Sequence, residues 1–184
     1  MTGVQTCALP IYPHEIIWTE LLSGTLGPEW RVINAGRNGR RIPVTDAEYG
    51  YVMSLVKDAG ENDLLAVMLG TNDILLSASP DADRTVSHMG TFLQHVLALP
   101  GHPRLLLIAP PPIAAGQVAG PLYAKFHEES LRMSAGFRRL ADSHGIAFAD
   151  AADWGIDLAY DCVHFTEAGH SRFAAALAAL ISQM

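Results

Sequence analysis

Asp161 and His164 are spaced Asp-x-x-His, close enough to meet within one turn of chain. A carboxylate in that position can accept from the histidine Nδ1–H, fix the tautomer and leave Nε2 as a base. Taken alone, the pattern is equally well explained by a structural turn. A second pattern is Gly70-Thr71-Asn72-Asp73, directly after the apolar run LLAVML. A small glycine, a turn-forming asparagine and a capping aspartate account for it structurally. The Asn72 amide is also a neutral donor of the kind that stabilises an oxyanion, worth roughly 3–4 kcal/mol in hydrolases that use one. A third pattern is NAGRNGR at residues 34–40. Its glycines suit a tight turn needing positive φ. A phosphate cradle would use Arg37, Arg40 and Arg41, but the stretch fits neither GxxxxGK[ST] nor GxGxxG.

Other polar residues converge less. A metal site would recruit His170, Asp157 or Asp153, at spacings that match no established ligand pattern. His170 lies one helical turn past Thr166 and is expected to face solvent. His14, His88, His95, His102, His127 and His144 are scattered over expected helix surfaces and loops.

The elements that must position these groups alternate between helix and strand. Residues 14–26 read as a helix stopped by Gly27-Pro28, and residues 31–34 as a short strand. Residues 45–59 read as a weaker helix. LLAVML (64–69) and RLLLIA (104–109) are continuous apolar runs, the mark of strands buried on both faces. Residues 81–99 and 122–144 read as amphipathic helices, the second closed by Gly145. Residues 146–150 form a short strand, and 166–184 an alanine-rich helix capped by Thr166. The order implies a parallel sheet covered on both faces, with chemistry beyond the carboxyl ends of its strands.

Composition narrows the function classes. The 184 residues are 49% hydrophobic and 17% charged, which fits one globular domain and excludes a disordered, collagenous or coiled-coil chain. Twelve Lys and Arg against nineteen Asp and Glu give a formal charge of −7, which argues against nucleic-acid or anionic-membrane partners. Cys7 and Cys162 are too few for a disulfide framework. Cys162 is expected to be a reduced, buried packing residue.

NAGxNG, then GTND, then DxxH near the C-terminus resembles the SGNH (GDSL-type) esterases. LLAVMLGTND, LLLIAPPP and YDCVHFTEAGH are especially similar to the bacterial arylesterase and acylhydrolase branch. The resemblance runs from Tyr12 to the C-terminus. It implies an α/β fold, a flavodoxin-like three-layer α/β/α sandwich with five parallel strands. It also implies a carboxylic ester hydrolase using a serine nucleophile, with His164 as general base, Asp161 orienting it, and the Gly39 N–H and Asn72 amide forming the oxyanion hole. No metal or organic cofactor is implied. The small residues of 109–120 are expected to form a wall or lid suited to small acyl groups.

The chain departs from the family at its start. No Gly-Asp-Ser occurs before residue 34, and Ser23 falls mid-helix. MTGVQTCALPI, residues 1–11, matches no element signature and reads as a non-native segment ahead of a single domain over 12–184. Thr6 and Cys7 lack the Gly-Asp context of a nucleophile. The native first strand is therefore expected to be missing, or replaced by residues 4–9 inserted as a surrogate. The cytoplasm is the expected compartment, although a leader lost from this end would leave no trace. Expected partners are a small ester and, as an open alternative, further copies of the chain. Two rival readings stand: a catalytically inactive binding protein of the same fold, and a flavodoxin-like nucleotide or flavin binder using NAGRNGRR.

Overall fold

In the computed structural model the described residues are 12–114 and 120–184. A 3-10 turn at His14–Ile16 leads into helix α1 (Trp18–Leu26). Helix α2 (Asp46–Val56) starts at Thr45 through a capping box with Glu48, which satisfies donors at both residues. Strand β1 (Leu64–Val67) is followed by the short helix α3 (Thr71–Leu75). Helix α4 (Ala82–Leu97) is capped by the Asp81 side chain, and strand β2 (Arg104–Ala109) follows it. Helix α5 (Pro121–His144) begins with proline at its first position and ends at Gly145, whose φ of 64° closes the helix. Strand β3 (Ala147–Asp150) and helix α6 (Glu167–Ile181), capped by Thr166, complete the order.

The described sheet is parallel in the order β1-β2-β3, with Leu65 opposite Leu105 and Leu106 opposite Ala147. Apart from Arg104 and Asp150 at strand ends, its strand residues are apolar, yet they divide between two cores. Leu65, Val67, Leu105 and Leu107 pack with Phe92 and Leu93 of α4 and Phe137 of α5. Leu64, Ala66, Leu106 and Ile108 pack with Trp18 and Leu22 of α1 and Phe173 and Leu177 of α6. Strand side chains alternate faces, so both faces need apolar cover. The result is a three-layer α/β/α fold.

Residues 31–34, expected as a strand, are not part of this sheet; only Ile33 holds a bridge position. The Gly27–Trp30 turn before them and the turn started by Asn34 bound the segment closely on both sides. The helix expected over 14–26 is interrupted at Ile17, where the backbone is extended at φ −70° and ψ 136°. The expected surrogate strand over residues 4–9, and Cys7 with it, lie outside the described residues. Of the expected wall, residues 109–114 and 120 are described and 115–119 are not. Ile113 is tied to α5 at both backbone atoms, since its N–H donates to Ser130 Oγ at 3.2 Å and its carbonyl meets His127 Nδ1 at 2.7 Å.

Candidate active site

GTND follows the carboxyl end of β1, the Asp-x-x-His loop follows β3, and NAGRNGR is bonded to the GTND helix. After β1 the chain turns at Gly70, with φ 114°. A Cβ there would sit 2.5 Å from Met133 Sδ and 3.3 Å from Phe137 Cζ, so both conformation and packing demand glycine. This turn starts α3 and buries Asn72 to 7% exposure. Two adjacent side chains of α3 then reach the same segment. Asn72 Nδ2 donates to the Arg40 carbonyl at 3.0 Å, and the Ile42 N–H donates to Asp73 Oδ2 at 3.2 Å. GTND thus clamps residues 40–42 beside the end of β1. Burial pushes the Asp73 carboxyl up to about 6, although the Ile42 N–H and Arg41 oppose the shift.

The clamped segment begins in a turn closed by Arg40 N–H donating to the Arg37 carbonyl at 3.1 Å. Gly39 occupies it at φ 70°, a conformation costly for other residues. Its upstream side is held by Asn34, whose Oδ1 accepts from Gly36 N–H at 2.8 Å and whose amide reaches Thr19 Oγ1 at 3.4 Å.

Asp161 and His164 lie on a loop pinched by the antiparallel bridge between Leu158 and Phe165. Asp161 Oδ1 accepts the backbone N–H of Val163 at 3.1 Å and of His164 at 3.0 Å, while Oδ2 meets His164 Nδ1 at 2.5 Å. Burial acts to raise the Asp161 pKa. The His164 N–H, the ring and the Val163 N–H outweigh it and hold the carboxyl below its usual range. An ionised Asp161 places the ring proton on Nδ1, which makes Nε2 the basic nitrogen. Between the pair, Cys162 is free, 1% exposed and left-handed at φ 65°. Its carbonyl accepts the Ala114 N–H at 3.1 Å, which ties this loop to the segment after β2.

The GTND turn, the segment after β2 and the Asp-x-x-His loop meet around a small cavity lined by Thr71, Pro110, Ile113, Val163, Phe165 and His170. His170 is 1% exposed, contrary to the expected solvent-facing position. It follows Thr166 by four residues, and that direction of α6 points into the core against Trp18 and Phe165. Its Nδ1 accepts the Trp18 backbone N–H at 3.4 Å, while Nε2 is buried with no hydrogen-bond partner. Burial alone lowers its pKa. Sequence spacing could not reveal this role, because Trp18 and His170 are 152 residues apart. Of the other conceivable metal ligands, Asp157 lies 3.7 Å from Arg172, and among the described residues no three His, Cys, Asp or Glu side chains gather around one point.

The model of the GDSL-like lipase/acylhydrolase family matches residues 14–172. The chain belongs to that family. It is therefore an SGNH hydrolase, and its family and fold relatives are ester hydrolases. One similar structure is a protein of Agrobacterium tumefaciens strain C58 assigned as an arylesterase. It is 28% identical with a TM-score of 0.82, over 99% of this chain and 93% of that one. Two more distant structures share the fold. The M. smegmatis aryl esterase is 22% identical with a TM-score of 0.82, over 99% of this chain and 94% of that one. Est24, a carbohydrate acetylesterase from Sinorhizobium meliloti, is 24% identical with a TM-score of 0.80, over the same two shares. No curated protein sequence matches the chain.

Proposed function

We propose that the parent reaction is hydrolysis of small carboxylic esters, short-acyl or aryl, by acyl transfer through a serine. His164 Nε2 takes the serine proton as Oγ attacks the ester carbonyl, and returns it to the departing alcohol. Asp161 holds the ring and stabilises the imidazolium that forms. The Gly39 N–H, the Asn72 amide and the serine's own N–H hold the oxyanion. Water, deprotonated by His164, then attacks the acyl-enzyme and releases the acid. The carrying observation is the 2.5 Å contact between His164 Nδ1 and Asp161 Oδ2, on a loop sharing a cavity with the GTND turn. Aryl esters and carbohydrate acetates, the substrates in its structural relatives' names, are the first to try.

The sequence contains no Gly-Asp-Ser. This favours a second reading, in which the chain as it stands binds esters without turning them over. Hydrolysis of p-nitrophenyl acetate separates the cases. The chain itself is expected to show no turnover above buffer, since loss of a nucleophile costs about 10⁶-fold in a serine protease. The same chain with an apolar strand and Gly-Asp-Ser loop in place of residues 1–11 is expected to gain turnover that His164→Ala removes. Turnover by the unaltered chain that His164→Ala abolishes would reveal another nucleophile. Silence from the restored chain, once shown to be folded, would end the esterase reading.

A further inference from the structure

Next to Gly39 lies an open groove of about 760 Å³ that the acyl-transfer steps do not use. Arg37, Arg40 and Arg41 line it together with Tyr51 and Glu48. Three of the chain's twelve cationic side chains thus fall within five residues of a protein whose formal charge is −7.

Two of these guanidinium groups share one aromatic ring. Arg37 Cζ lies 5.7 Å and Arg40 Cζ 5.1 Å from the centroid of Tyr51, itself 45% exposed. Stacking a guanidinium on an aromatic face orients it and leaves its edge N–H groups to bind in the ring's plane. Arg40 also donates to the Ala35 carbonyl at 2.7 Å, and Arg41 to the Leu76 carbonyl at 2.8 Å. Both acceptors are neutral. The lining carboxylate, Glu48, accepts from Val44 N–H, Thr45 N–H and Thr45 Oγ1, all at Oε2. Asp73 is the other nearby acid: its Oδ2 accepts the Ile42 N–H, and its carboxyl, like that of Glu48, interacts electrostatically with Arg41. Three guanidinium groups against two carboxylates leave the groove with a local excess of positive charge.

We propose that this groove binds a carboxylate carried by the ester substrate, which makes anionic esters the preferred class. The inference rests on the esterase reading for its placement. Gly39 lines the groove, and Arg40 is the residue whose carbonyl the Asn72 amide grips, so a carboxylate here lies a short span from the oxyanion donors. A guanidinium matches a carboxylate with two parallel N–H donors. A cation-lined cleft on a negatively charged protein also focuses field on anions that the rest of the surface repels.

The test is equilibrium binding to the chain as it stands, so it requires no turnover. Calorimetric titration with 4-acetoxybenzoate is compared with its neutral methyl ester at 50 mM salt. The acid is expected to bind about tenfold more tightly, the worth of one charge-assisted hydrogen bond. That preference is expected to collapse at 0.5 M salt and in Arg37→Gln, and to survive in part in Arg37→Lys. Arg37 is exposed, so these variants are expected to fold. Equal affinity for the two ligands, an unchanged preference in an Arg37→Gln/Arg41→Gln double variant, or no binding of either at millimolar concentration would overturn the proposal. Failure of the esterase reading looks different: the preference persists while the chain restored with Gly-Asp-Ser stays silent.

Discussion

Asn72 has two N–H bonds on its amide, and the Arg40 carbonyl takes one at 3.0 Å. The second is the one that an ester oxyanion would use in the proposed reaction, in which one side chain would both build the site and act in it. In the chain restored with Gly-Asp-Ser, Asn72→Ala is expected to lower kcat on p-nitrophenyl acetate by about 10²- to 10³-fold. It is also expected to cost about 1 kcal/mol of stability by stranding the Arg40 carbonyl, readable by urea unfolding. A loss in stability with unchanged kcat would reduce Asn72 to a structural clamp. At this scale the sequence was informative where partners are close. Asp161 and His164 meet across three residues, so their spacing allowed the pair, although a structural turn explained it equally well. The Asn72–Arg40 and Asp73–Ile42 bonds span 32 and 31 residues, and only the fold joins them.

Elements were legible wherever burial and caps agreed. The run RLLLIA is strand β2 from end to end, and Thr166 caps α6 through a bond from the Gly169 N–H to its Oγ1. The break at Ile17 was not legible, because the backbone donor of Trp18 is satisfied by His170 on another helix. Glycines inside helices were equally opaque, since sequence does not say what lies beside them. Gly169 follows the Asp-x-x-His loop by five residues, and a Cβ on it would stand 2.3 Å from the Asp157 carbonyl oxygen. That carbonyl accepts the Thr166 N–H at 3.0 Å, so it anchors the loop's exit. Gly24 in α1 has nothing within 4 Å of the same position. Alanine in a helix interior ordinarily gains about 1 kcal/mol over glycine. Gly24→Ala is expected to show a gain of that kind. Gly169→Ala is expected to lose about 2 kcal/mol or more and to lower turnover in the restored chain, because backbone must move to admit the methyl. Equal gains in urea unfolding for both would mean that α6 does not press on residue 157.

Across the whole molecule, two buried groups give stability opposing dependences on pH. His170 has its pKa lowered by burial, so between its ordinary value near 6.5 and its native value the unfolded chain binds the extra proton. Its contribution is complete above about pH 6.5 and declines as pH falls. Asp73 acts the other way. Its native carboxyl is pushed up to about 6 from an ordinary value of 3.8, so between those values the native state binds the extra proton. That contribution is present below the unfolded value and is lost as pH rises through about 6. The two effects act in opposite directions below about pH 6 and partly cancel where they overlap. Removing either should therefore tilt the acid limb in opposite directions. His170→Asn retains an acceptor for the Trp18 N–H and removes the titration, so stability is expected to fall less between pH 7 and 5. Asp73→Asn retains an acceptor for the Ile42 N–H, and the same fall is expected to become steeper. At pH 7.5 Asp73→Asn is expected to be neutral or stabilising by about 1–2 kcal/mol, since it removes a buried charge at ~1.4 kcal/mol per pH unit. Urea unfolding of the three proteins at half-unit steps of pH checks both signs. Parallel curves would exclude both residues from the acid limb, whereas a change in one variant alone would assign it to that side chain.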